Sequence, residues 1–203
     1  MRPALLLAAF IAAATPVLAQ DAATLDLARR LVHDQGGFGP LIRSGGTNPM
    51  ATRGMKSPEI YAKAYGEALA ERPGLIQQAD ERMAEIFARV YTKQELTDWI
   101  AFEESPAGQA ITAKARAATI GGPSKVVPLT ADEKAAQDKF AATPSGKSIA
   151  GKGRAVQQQM YPAISPLMED IRNAAMARYC KEGGDCSSMP QQNGAPPPPP
   201  PQH

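Results

Sequence analysis

Residues 91–117 read YTKQELTDWIAFEESPAGQAITAKARA, and residues 129–155 read LTADEKAAQDKFAATPSGKSIAGKGRA. The two stretches align without a gap at a constant offset of 38 residues, which marks an internal repeat. Identities pair Thr92 with Thr130, Glu95 with Glu133, Phe102 with Phe140, Pro106 with Pro144 and Gly108 with Gly146. They continue through Ile111 and Ile149, Lys114 and Lys152, Arg116 and Arg154, and Ala117 and Ala155, while Ser105 answers Thr143.

The repeated residues have physical roles. Thr92 with Glu95, and Thr130 with Glu133, each spell a T-x-x-E capping box: the hydroxyl takes an amide of the new helix while the carboxylate reaches back. Each such start stabilises its helix by about 1 kcal/mol. About ten residues on, Ser105-Pro106 and Thr143-Pro144 repeat the start signal, because the residue before Pro avoids helical geometry and a hydroxyl caps the next segment. Each unit therefore reads as two short helices joined at a tight corner. Phe102 and Phe140 are placed to fill the angle, and Gly108 and Gly146 to permit close backbone approach.

The copies differ in one direction. Leu96, Trp99 and Ile100 of the first stand against Lys134, Gln137 and Asp138 of the second, and Ala113 and Ala115 against Gly151 and Gly153. The second copy has the poorer apolar stripe, and each glycine costs about 1 kcal/mol of helix propensity. It is expected to be the looser of the two.

Outward from the repeats, the pattern Leu25, Leu27, Ala28, Leu31, Val32 predicts an amphipathic helix ended by Gly36-Gly37. The stretch from Phe38 to Lys56 holds Gly39-Pro40, Gly45-Gly46 and Asn48-Pro49, and reads as a long mobile loop with one short helical turn around Leu41. Ser57-Pro58-Glu59 predicts a helix capped by the Ser57 hydroxyl, with Tyr61, Tyr65 and Leu69 on one face, and a break at Arg72-Pro73-Gly74. Leu75, Ile76, Ala79, Met83, Ile86, Phe87 and Val90 mark the next helix. After the repeats, Ile164 to Tyr179 form another, bent or started near Tyr161-Pro162 and Ser165-Pro166. The expected organisation is an N-terminal helix and flexible loop over 20–56, a helical domain over 57–186, and a tail over 187–203.

Arg2, the apolar run from Ala4 to Ala14, Pro16 and Val17-Leu18-Ala19 spell a secretory signal peptide over 1–19. The run falls short of the about 20 apolar residues a membrane-spanning helix needs, and nothing later is apolar enough to span a bilayer. Export, with the periplasm as destination, is the expected address. There, Cys180 and Cys186, the only two thiols, are expected to bond in a short loop that clasps the last helix. Lys and Arg number 22 against 20 Asp and Glu, a balance that argues against a nucleic-acid binder. Beyond Cys186 the composition turns to Ser, Gln, Asn and Gly with a run from Pro196 to Pro201, expected to be disordered or polyproline II.

The first unit, from Tyr91-Thr92-Lys93-Gln94-Glu95-Leu96 through Phe102-Glu103-Glu104-Ser105-Pro106-Ala107-Gly108, resembles the hallmark of the exported bacterial domain-of-unknown-function family 2059. The resemblance runs from about Leu75 to Ala118 and is partial in the second copy. It departs at Glu103, where a second aromatic usually follows Phe102. It implies a small helical fold and an exported address, and carries no catalytic residue over.

His33 and His203 are the only histidines, too few for a several-His zinc site. The acid pairs Asp80-Glu81 and Glu103-Glu104 read as solvated faces, no G-x-S-x-G occurs, and Gly121-Gly122-Pro123-Ser124-Lys125 lacks P-loop spacing. Lys114 with Arg116, and Lys152 with Arg154, read as a charged exterior more readily than as an anion site, since side chains two apart on a helix diverge. No catalytic, metal or cofactor residue is singled out. The sequence thus predicts an all-α protein, a small helical bundle built around two helix-pair repeats, acting as a non-enzymatic binding module for an envelope protein or for its own second copy. An envelope hydrolase and a lipid-binding or chaperone-like protein are the alternatives.

Overall fold

The computed structural model describes residues 21–49, 51–121 and 126–186. They form eight helices and, among the described residues, no strand: α1 (Ala22–Asp34), α2 (Gly39–Ser44), α3 (Pro58–Ala70), α4 (Leu75–Val90), α5 (Lys93–Glu103), α6 (Pro106–Gly121), α7 (Ala131–Ala142) and α8 (Pro144–Lys181). The all-α class expected from the sequence holds. The expected signal peptide and Pro-rich tail lie outside the described residues.

Two apolar clusters hold the helices together. In one, Ile42, Tyr61, Tyr65, Leu75, Ile171 and Tyr179 join α2, α3, the start of α4 and the end of α8. In the other, Leu31, Phe87, Tyr91, Leu96, Ile100 and Val156 join α1, the end of α4, α5 and the first third of α8. Met160 packs against both. The predicted α1 stripe is therefore a core stripe, with Ala28, Leu31 and Val32 buried, and α1 lies against α4 and α5.

Two local expectations are corrected. The Ser57 hydroxyl makes no cap hydrogen bond, so the start of α3 rests on Pro58 at the first turn, where a missing amide costs nothing. The short helical turn expected around Leu41 is α2, and it is anchored: Ile42 is fully buried, and the Tyr65 hydroxyl donates to its carbonyl at 2.9 Å. Pro162 and Pro166 neither start nor end a helix, because α8 runs unbroken through both over 38 residues, about 57 Å at 1.5 Å per residue. An interior proline costs a helix about 3 kcal/mol. Here Ile164, Ile171, Ala175 and Tyr179 are buried along the same helix, and Arg82 donates to the Ala163 carbonyl at 2.6 Å between the two prolines. Tertiary packing outweighs the local preference.

The predicted break at residues 71–74 is present, and Arg72 steadies it by pairing with Asp170 of α8 at 2.5 Å. Cys180 and Cys186 are disulfide-bonded, with Cα atoms 5.8 Å apart. The loop they close also ties back to α3 through Lys63 and Glu182, 2.9 Å apart, and to the preceding segment through Lys56 and Asp185.

Candidate functional site

Both capping boxes form. In the first unit the Thr92 hydroxyl accepts the Glu95 amide at 3.3 Å and the Glu95 carboxylate accepts the Thr92 amide at 2.7 Å. In the second, the matching distances for Thr130 and Glu133 are 3.2 and 2.7 Å. The corners repeat as closely. Ser105 donates to the Phe102 carbonyl and accepts from the Gly108 amide at 3.1 Å, as Thr143 donates to the Phe140 carbonyl and accepts from the Gly146 amide at 3.0 Å. A Cβ on Gly108 would collide with the Phe102 carbonyl oxygen, and one on Gly146 with that of Phe140. Only a residue without a side chain fits so tight a corner.

The two units then complete each other. Lys114 of the first reaches Glu133 of the second at 2.5 Å, and Lys152 of the second reaches Glu95 of the first at 2.7 Å. Equivalent residues exchange partners, which is the pattern of an isologous contact built within one chain. Phe102 and Phe140, themselves equivalent, also meet across the two units and stack with ring centroids 4.6 Å apart. The repeated lysines are thus neither a loose charged exterior nor an anion site: each neutralises the capping carboxylate of the opposite unit. Arg116 donates to the carbonyls of Asp34 and Gln35 and closes the end of α1, while Arg154 is exposed.

Glu95 sits at the centre of this arrangement. Burial pushes its carboxyl up, but hydrogen bonds from Lys152, Ser148 and the Thr92 amide outweigh that and hold it down at about 2. The Lys114 ammonium and the Thr130 amide lower Glu133 in the same direction.

Departures from exact repetition follow exposure. Leu96 and Ile100 are buried and Trp99 packs on Phe87 and Tyr91. Their counterparts Lys134, Gln137 and Asp138 stand on α7, which buries no residue. The second copy carries polar residues there because its first helix faces outward.

Across the corner between the units runs an apolar groove of about 520 Å³, walled by Leu41, Trp99, Phe102, Ile111, Phe140 and Ile149. Part of the wall is polar. Glu103, 9% exposed, accepts from the Trp99 indole at 3.0 Å, from Gln35 at 3.4 Å and from the Thr112 hydroxyl. In the sequence Glu103 stands out only as a departure from a family pattern and as half of an acid pair with Glu104. Its spacing of four from Trp99 was the available signal, since residues so spaced meet on one helix face. Its neighbour Glu104 does face outward and pairs with Arg30. Among the described residues no group of three or more His, Cys, Asp or Glu could hold a metal ion, and no helix is long and apolar enough to cross a membrane.

The chain is therefore an all-helical protein whose duplicated helix pairs close on each other beneath an apolar groove. The family described as "Uncharacterized protein conserved in bacteria (DUF2059)" matches residues 77–121, which takes in most of α4 and all of α5 and α6 and stops short of the second copy. Neither the curated proteins nor the solved structures give a match.

Proposed function

We propose that this protein is an exported, non-enzymatic binding module of the bacterial envelope, and that the groove across Phe102 and Phe140 receives an apolar segment of another envelope protein. The observation that carries this reading is the groove itself: six apolar side chains, Leu41 exposed and the other five partly buried, on a corner fixed by paired caps and reciprocal ion pairs. Rigid placement of an apolar surface lowers the ordering cost of binding. The polar contacts of Glu103 are satisfied within the protein, as suits a wall that shapes a site. The disulfide fits an oxidising compartment, and the leader-like residues 1–19 supply the route.

A photo-crosslinking residue at Gln137, exposed on the groove rim, tests this in the native envelope, with Lys139, exposed elsewhere on α7, as its control. A discrete protein adduct from position 137 and none from 139 is expected. Equal labelling from both positions, or adducts with lipid alone, would reject a protein-binding groove.

A further inference from the structure

We infer that the partner segment received by the groove carries a lysine, whose ammonium pairs with the Glu103 carboxylate while apolar neighbours pack on Phe102 and Phe140. This rests on the groove being a binding face for protein and adds the chemistry by which it selects its partner.

Glu103 is a carboxylate without a counter-ion. It is 9% exposed, and the three groups that donate to it, the Trp99 indole, the Gln35 amide and the Thr112 hydroxyl, are all neutral. Among the described residues no cation forms an ion pair with it, although its neighbour Glu104 has Arg30 and the comparably buried Glu95 has Lys152. Neutral donors orient a carboxylate but leave its charge uncompensated, and a charge taken out of water without an opposite one is costly. The cation of the groove lining, Arg116, is committed elsewhere. Its Nε and Nη2 donate to the Gln35 and Asp34 carbonyls, at the negative end of the α1 dipole.

The hydrogen bonds that Glu103 already accepts decide which cation fits. A carboxylate accepts about four, two at each oxygen. Oε1 takes Trp99 and Gln35, and Oε2 takes Thr112 alone, so one site on one oxygen is left. Glu103 and its three donors all line the groove, which puts that site in the same wall as the apolar side chains. A guanidinium fork needs an acceptor on both oxygens, whereas an ammonium is a compact point charge that a single site accommodates. Lysine also brings an alkyl stem that lies along apolar surface with the charge at its tip.

Trp99 is the chain's single tryptophan and its indole is bonded to Glu103, so its fluorescence reads the site directly. The full exported chain is titrated with n-octylammonium, n-octanol and n-octanoate, and Glu103→Gln with the same probes. The parent should bind the ammonium about ten-fold more tightly than the alcohol, the order expected of a hydrogen bond between charged groups, and the substitution should abolish that preference. Trimethyloctylammonium, charged but with no proton to donate, should lose most of the advantage in the parent itself, a comparison that needs no variant. Equal binding of ammonium and alcohol, equal binding of primary and quaternary ammonium, a preference for octanoate, or a preference retained in Glu103→Gln would each overturn the inference. The Gln137 crosslink is scored in the parent and in Glu103→Gln, where the adduct should fall several-fold. An undiminished adduct upholds the binding module and overturns the lysine anchor. Absence of adduct from both rejects the module, and an ammonium preference found alongside it would give the groove to a small amphiphilic amine and overturn the lysine-bearing partner.

Discussion

Phe102 and Phe140 stack nearly parallel, 12° between ring planes, one repeat length apart in sequence and at the same place in each unit. An aromatic pair of this kind contributes about 1 kcal/mol beyond its buried area. Phe102→Ala and Phe140→Ala should each destabilise, and the double variant should lose about 1 kcal/mol less than the sum of the two in urea unfolding. Strict additivity would mean that the rings do not stabilise one another.

The glycines of α8 predict opposite signs within one helix. A Cβ at Gly146 meets backbone, whereas at Gly151 and Gly153 nothing lies within 4 Å. Gly146→Ala, like Gly108→Ala, should cost about 2 kcal/mol through forced backbone movement. Gly151→Ala and Gly153→Ala should each stabilise by about 0.5 to 1 kcal/mol. Thermal melts of the four variants decide the matter, and a stabilised Gly146→Ala would refute the corner geometry.

The pair of Glu95 and Lys152 makes a prediction in pH. A carboxyl whose folded pKa is depressed contributes stability above its ordinary value of 4.5 and loses it as pH falls through about 2. Unfolding free energies of the parent and of Glu95→Gln should therefore converge on acidification across that window. A gap that stays constant from neutral pH to about pH 2 would show that the charge on Glu95 stabilises nothing. Lys152→Met, which strands a buried carboxylate, should cost about 2 kcal/mol at neutral pH.

Reciprocity can be tested by exchanging charges. Lys114→Glu or Glu133→Lys alone sets like charges together and should lower the melting temperature. The combination should recover most of the loss. No recovery would place the contribution of Lys114 elsewhere, for instance in its 3.1 Å bond to the Pro128 carbonyl.

Reduction of the disulfide should loosen the end of α8 without unfolding the bundle. The loop is short, with a sequence separation of 6, so its chain-entropy contribution is about 2 kcal/mol. Cys180→Ser with Cys186→Ser should lower the melting temperature by that order while leaving the helical dichroism unchanged. Wholesale loss of helix would mean that the clasp nucleates the bundle.

The corners were legible because their chemistry is local. A hydroxyl, a proline and a glycine within four residues specify one turn wherever they stand, and both copies obey. What those corners face was not legible, since no local rule tells Lys114 that its partner is Glu133 or stacks Phe102 on a ring from the other unit. The same limit explains the misreadings. Pro162 and Pro166 disfavour a helix locally, but the buried face of α8 decides. Ser57 has the composition of a cap, but its side chain does not make the bond. Glu103 looked like a solvated carboxylate until Trp99, Gln35 and Thr112 surrounded it.

The exchange of lysines between the two units has a consequence for stoichiometry. A polypeptide with one such helix pair would display an unneutralised capping glutamate, a reaching lysine and a bare phenylalanine, and could satisfy all three only by meeting a twin. Carrying both pairs on one polypeptide turns that encounter into a tethered one, with a local concentration on the order of millimolar. The match then survives dilution in a compartment where a loose dimer would come apart.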